Sequence, residues 1–115
     1  DLGRMDADNL LYLHIRRKDL IISGGENINP IEIEEALQKL DVISDAAVVG
    51  IEDDEWGQKV RAYIVYEKFP INNKTLNNDL KILLSNYKIP KEYIEVPYIP
   101  RNELGKIVYE QLKLL

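Results

Sequence analysis

Cysteine is absent from all 115 residues, which excludes disulfides and thiolate metal sites. No apolar run approaches the roughly 18 residues that a membrane span needs, and no basic-then-apolar leader opens the residues given. A basic excess is missing too. The formal charge is -5, the wrong sign for a chain whose main partner is nucleic acid, because phosphate neutralisation calls for a surplus of lysine and arginine. Histidine occurs once, at His14, in a strand-like stretch where it reads as an edge residue rather than a general base. No carboxylates and histidines are spaced as a metal ligand set. What remains is a globular composition, 45% hydrophobic and 30% charged, in a chain well below the ~250 residues at which domains usually split. The expectation is one soluble, cytoplasmic domain. Because it begins Asp1-Leu2-Gly3-Arg4 without methionine, it reads as part of a longer polypeptide.

The residues present switch period several times. Positions 10–15 alternate loosely and are followed by Leu20-Ile21-Ile22, which predicts an N-terminal two-stranded hairpin joined across the charged residues 16–19. Asn29-Pro30 opens a helix, since asparagine caps and proline suits the first helical position, with Glu32 and Glu34 favourable in the positive first turn. Ile33, Ala36, Leu37 and Leu40 fall on one face of it. Residues 46–51 and 60–66 are rich in β-branched and aromatic side chains and read as central strands, with an acidic, exposed connection at 52–58. Thr75 is the expected cap of a second helix carrying Leu76, Leu80, Leu83, Leu84 and Tyr87, ended by Ile89-Pro90. A short edge strand at 93–96 and an amphipathic helix at 108–115 complete the chain. The fold class is α+β: helices packed on a short sheet, without a regular βαβ period.

Three stretches carry candidate chemistry. Lys106, in Pro100-Arg101-Asn102-Glu103-Leu104-Gly105-Lys106-Ile107, places one cation on a short glycine-bearing loop, where it is either a solvated surface lysine or a charge that can be swung onto a phosphate. Ser23-Gly24-Gly25-Glu26-Asn27 is either a tight turn into the next helix or a place where a ligand or another domain approaches the main chain closely. Arg16 and Lys18, one residue apart, point to the same side in extended geometry and would suit a phosphate or ribose. The alternative is a solvated turn.

Taken together these segments resemble the C-terminal domain of the adenylate-forming superfamily, which includes acyl- and aryl-CoA ligases, luciferases and the adenylation domains of peptide synthetases. Asp1-Leu2-Gly3 is similar to the end of the family's Thr-Gly-Asp motif. Residues 20–27 with Pro30, Glu32 and Glu34 are similar to its most recognisable C-terminal stretch. Trp56-Gly57, Tyr87-Lys88-Ile89-Pro90-Lys91 and Gly105-Lys106 follow in the family's order. The resemblance implies a small lid domain at 19–115, with 1–18 as the end of a large domain and the hinge, and an N-terminal adenylation domain as its partner.

By that resemblance a carboxylic acid is activated with ATP, accompanied by Mg2+, to an acyl-adenylate; coenzyme A then displaces AMP. Lys106 is the implied catalytic residue, Asp1 and Arg16 the nucleotide-binding residues, Lys18 the hinge, and Ser23, Gly24 and Gly25 the coenzyme A-binding loop. The sequence departs from the family's pattern at Ile15, where an aspartate is common, at residues 102–104, and at Tyr109, where a basic residue is common. A different class of reading is a free-standing interaction module that binds a partner through its acidic face and the Trp56 loop.

Overall fold

The computed structural model describes residues 20–112. The elements run β1 (Ile21–Ser23), β2 (Glu26–Ile28), α1 (Pro30–Gln38), β3 (Ile43–Asp53), β4 (Gly57–Tyr66), α2 (Asn73–Leu83), a 3-10 turn (Asn86–Lys88), β5 (Glu92–Glu95) and α3 (Tyr109–Leu112). The α+β expectation holds.

The β3–β4 hairpin is the frame. Its antiparallel register runs from Asp53↔Gly57 to Ile43↔Tyr66, with an irregularity between Ile43 and Asp45. Because successive strand residues point to opposite faces, Ala46, Val48, Val60, Ala62 and Ile64 join one core. Ala47 and Tyr63 join the other. The first face is covered by Ile33 and Leu37 of α1 and Leu76 and Leu80 of α2, all fully buried. The second is covered by Val96, Ile99 and Leu112 from the C-terminal segment. Burial on both faces explains why 46–51 and 60–66 are apolar almost throughout rather than alternating.

One edge of β4 carries β3. The other is shared by β1, at Ser23↔Gly57, and by β5, which pairs in parallel from Arg61↔Glu92 to Ile64↔Glu95. The β4–β5 connection through α2 supplies the long crossover that parallel pairing requires. Among the described residues the far edge of β3 has no strand partner.

Local chemistry accounts for most boundaries. The Asn29 side chain accepts from the Ile31 N–H at 2.9 Å and Pro30 stands at the helix start, as expected. The second helix differs from expectation at both ends. Asn72, not Thr75, is its cap, accepting from the Lys74 N–H at 2.7 Å, so that Thr75 lies inside the first turn. The helix stops at Leu83, where Leu84 turns extended ahead of Ser85 and Asn86, residues that compete with the helix for backbone hydrogen bonds. Leu83 and Tyr87 are therefore half-exposed instead of buried.

A hairpin forms around the glycine pair. β1 pairs with β2, in the register Ile21↔Ile28 to Ser23↔Glu26, around Gly24-Gly25. The expected partner strand at 10–15 lies outside the described residues. Among the described residues no helix is long and apolar enough to cross a membrane.

Candidate functional site

The diglycine turn is a two-residue hairpin loop in which both residues have positive φ, +59° at Gly24 and +84° at Gly25. That is the combination a tight hairpin matched to strand twist demands. Among the described residues it is packed at Gly24, against Trp56. The Gly24 N–H donates to the Trp56 carbonyl at 2.9 Å, and a Cβ on Gly24 would stand 3.0 Å from Cε3 of the Trp56 ring. Among the described residues Gly25 has nothing within 4 Å of such a position, and it is exposed. The indole belongs to a turn held by Asp53, whose carboxylate accepts from the Glu55 and Trp56 N–H groups at 3.1 and 3.0 Å. Lys91 Nζ lies 4.6 Å from the ring centroid, close enough for a cation–π contact. Ser23 is buried beneath the turn.

The Lys106 turn is a second, smaller loop closed by the Arg101↔Ile107 bridge. The Asn102 N–H donates to the Lys106 carbonyl at 2.9 Å. The Asn102 side chain accepts from the Leu104 and Lys106 N–H groups at 2.9 and 3.1 Å. Gly105 takes φ +83°, which closes the turn. Lys106 is exposed and its ammonium has no partner among the described residues. Arg101 ties the loop to β3: its guanidinium donates to both Asp45 carboxylate oxygens, at 2.7 and 3.2 Å, and to the Gly105 carbonyl at 2.6 Å.

The two turns occupy opposite ends of the frame. Ser23 pairs with Gly57, at the Trp56 end of β4, whereas Asp45 pairs with Val65. Eight residues of strand separate those positions, a distance of about 27 Å at ~3.3–3.4 Å per residue. The structure therefore brings Ser23, Gly24 and Gly25 together with Trp56 and Lys91, and sets Lys106 apart from them. Asp1, Arg16 and Lys18 lie outside the described residues. Among the described residues no cluster of three histidine, aspartate or glutamate side chains is arranged to hold a metal ion.

Sequence reasoning missed Glu34. Expected as a first-turn surface charge, it is 6% exposed and accepts from the Val48 N–H and the Tyr109 hydroxyl, each at 2.8 Å. Val48 lies on the strand edge that no other strand among the described residues covers, and the carboxyl accepts there from the Val48 N–H as a ladder partner would. The signal was its position beside Ile33, three residues before Leu37, on the flank of the apolar stripe.

Burial pushes the Glu34 carboxyl up to about 7, against the lowering effects of the Val48 N–H, the Tyr109 hydroxyl and the Arg101 charge; Asp45 adds to the rise. Its folded pKa thus exceeds its unfolded value of 4.5. Folding takes up a proton in that interval, so the stability contributed is complete below about pH 4.5 and is lost as pH rises through about 7. A shift of that size corresponds to roughly 3 kcal/mol. Glu34→Gln keeps an acceptor for both partners and cannot ionise. In urea unfolding at pH 5 and pH 8, the wild-type chain is expected to lose roughly 2.5 kcal/mol more than Glu34→Gln. Identical pH dependence in the two would show that Glu34 does not titrate in this range.

Two loops thus stand at opposite ends of one small α+β body, one presenting exposed glycine main chain and the other an ammonium with no partner among the described residues. The chain belongs to the AMP-binding enzyme C-terminal domain family, which matches residues 32–106. It is 42% identical over 113 residues to the 2-succinylbenzoate–CoA ligase of Bacillus subtilis, an alignment covering 98% of this chain and 23% of that enzyme. It is 37% identical over 113 residues to the long-chain-fatty-acid–CoA ligase FadD13 of Mycobacterium tuberculosis, covering 98% of this chain and 22% of that enzyme. Among solved structures it is similar to o-succinylbenzoate CoA synthetase from Bacillus subtilis in complex with the acyl-adenylate intermediate OSB-AMP. That likeness has a TM-score of 0.78 and 43% identity over 85% of this chain and 20% of that one. The chain thus spans about a quarter of the length of the curated relatives it matches.

Proposed function

We propose that this chain is the lid of an ATP-dependent acid–CoA ligase and that 2-succinylbenzoate is the acid, which would give the enzyme a place in menaquinone biosynthesis. The observation that carries the lid reading is the placement of the Lys106 turn and the diglycine turn at opposite ends of one hairpin. A rigid body of that shape cannot apply both to one reacting centre at once, so it suits a reaction in two steps. In the first, a carboxylate oxygen attacks the α-phosphorus of ATP and pyrophosphate leaves; Lys106 donates to the carboxylate and the α-phosphate. In the second, the thiol sulfur of coenzyme A attacks the acyl carbon and AMP leaves, with Ser23, Gly24 and Gly25 turned toward the thiol carrier.

Asp1 and Arg16 would hold the ribose, Lys18 would be the pivot, and the acid pocket and phosphate loop would lie on an N-terminal adenylation domain. Mg2+ would arrive with ATP as part of the substrate. Both nucleotide substrates are cytoplasmic metabolites, which makes the cytoplasm the expected location. The similarity to 2-succinylbenzoate ligases supports the choice of acid; the similarity to a long-chain fatty acid ligase names the competitor.

The experiment is a panel of carboxylic acids given to the full-length ligase with ATP, following acid-dependent pyrophosphate release and then thioester formation. 2-Succinylbenzoate is expected to give the highest kcat/KM. A fatty acid in first place would replace the substrate and keep the lid; no acid-dependent release with any member would remove the ligase reading.

A further inference from the structure

We propose that Arg101 is a positioning residue for Lys106, acting through Asp45. The inference rests on the reading of Lys106 given above and goes beyond it by assigning what aims that side chain. Lys106 has no partner of its own among the described residues, and it follows a glycine at φ +83°, a residue with the widest conformational freedom. An ammonium on such a loop would sweep a broad volume unless the main chain leading into it were held.

It is held at both ends of one peptide group. The carbonyl of the Gly105–Lys106 peptide accepts from Arg101 Nη1 at 2.6 Å, and the N–H of that same peptide donates to Asn102 Oδ1 at 3.1 Å. Gripping a peptide plane on both sides fixes the direction in which the next Cα–Cβ bond leaves it. The grip is anchored to the body of the fold. Arg101 also forks onto Asp45 with Nη2 and Nε, the bidentate geometry that adds directional precision to charge. Asp45 is braced in turn by the Ala46 N–H at 2.9 Å and the Gln38 side-chain amide of α1 at 3.2 Å.

A continuous hydrogen-bonded path therefore runs from α1 and the start of β3 to the residue that carries the ammonium. Arg101 itself is engaged with a carboxylate, so its charge is compensated inside the domain. That is why its role is positioning rather than contact with the reacting atoms. Lysine at position 101 would keep the ion pair but lacks the planar fork that reaches both Asp45 and the carbonyl.

The test uses the full-length ligase with Arg101→Ala, Arg101→Lys, Asp45→Asn and Lys106→Ala. Each half-reaction is measured separately: acid-dependent pyrophosphate release at saturating ATP, and thioester formation from supplied acyl-adenylate. Since a displacement of about 1 Å at a positioned group can cost on the order of 100-fold, Arg101→Ala is expected to lower kcat of adenylation by about 10- to 100-fold. KM for ATP should stay within about threefold and thioester formation within about twofold, as for a group misaimed rather than a domain unfolded.

Arg101→Lys should recover part of the loss. Asp45→Asn should lose activity in the same direction, and combining it with Arg101→Ala should add little, because both variants break one path. If Arg101→Ala proves too unstable to purify, Asp45→Asn and Arg101→Lys carry the same comparison. Unchanged adenylation in these variants alongside its loss in Lys106→Ala would overturn the positioning role and leave Lys106 standing. Equal loss of both half-reactions would also overturn it. Full adenylation by Lys106→Ala would overturn the role of Lys106 and this inference with it.

Discussion

Lys106→Ala in the full-length ligase is expected to cut acyl-adenylate formation by at least 10²–10³-fold, the cost of removing one preorganised electrostatic donor from a site where charge develops. Thioester formation from supplied acyl-adenylate should survive with little change. The asymmetry follows from the geometry. Lys106 sits at the Asp45 end of the β3–β4 hairpin, about 27 Å of strand from the diglycine turn. On the proposed reading, with the glycine end turned to the thiol carrier the ammonium would be too far away to touch the acyl carbon. Its compact, strongly hydrated charge is suited to a phosphate oxygen, and withdrawing it after the proposed first step would remove an attraction that would otherwise retain AMP. Single-turnover assays of the two half-reactions measure the split directly. Comparable losses in both would mean that Lys106 supports the fold or both poses, and the assignment would fail.

How far this could be seen in the amino-acid order depends on the range of the interactions involved. Asn29-Pro30 set one helix start because a cap and a first-turn proline act within three residues, and the apolar stripe of Ile33, Ala36 and Leu37 became its buried face. The β3 and β4 stretches were legible for a similar reason: a strand buried on both faces must be apolar along its length. Thr75 misled because Asn72, three residues earlier, is the stronger cap, and the Leu84 break went unseen because periodicity continued through Ser85 and Asn86.

The supports of the candidate site were out of reach. Arg101 and Asp45 are 56 residues apart, and Glu34 and Tyr109 are 75 apart, so no local pattern joins them. Each lone charge reads most simply as solvated surface. The glycine pair and the Gly105-Lys106 step could be picked out because turns with positive φ leave their mark on adjacent residues. What each turn packs against, Trp56 in one case and Asp45 by way of Arg101 in the other, needed the fold.

Lys18→Pro is the second variant with a large and one-sided expected effect. If one rigid body must present the Asp45 end of its hairpin in the first step and the Gly57 end in the second, it has to rotate, and the rotation must be absorbed ahead of Ile21, where β1 begins. A hinge of this kind concentrates a large φ/ψ change in one or two residues. Proline locks φ near -65° and also restricts the residue before it, Arg17. That φ can serve one orientation and not both. With the adenylation pose retained, pyrophosphate release should stay within a few-fold of wild type, while thioester formation from supplied acyl-adenylate should fall by on the order of 100-fold, since the thiol and the acyl carbon are no longer brought into reacting geometry. Because on this reading the hinge and the glycine end would act in the same step, coenzyme A at saturating concentration should not restore the rate. A variant that keeps both half-reactions near wild type would place the pivot elsewhere, whereas one that loses pyrophosphate release and keeps thioester formation would mean that the locked φ is the one belonging to the second orientation, against the effect expected here.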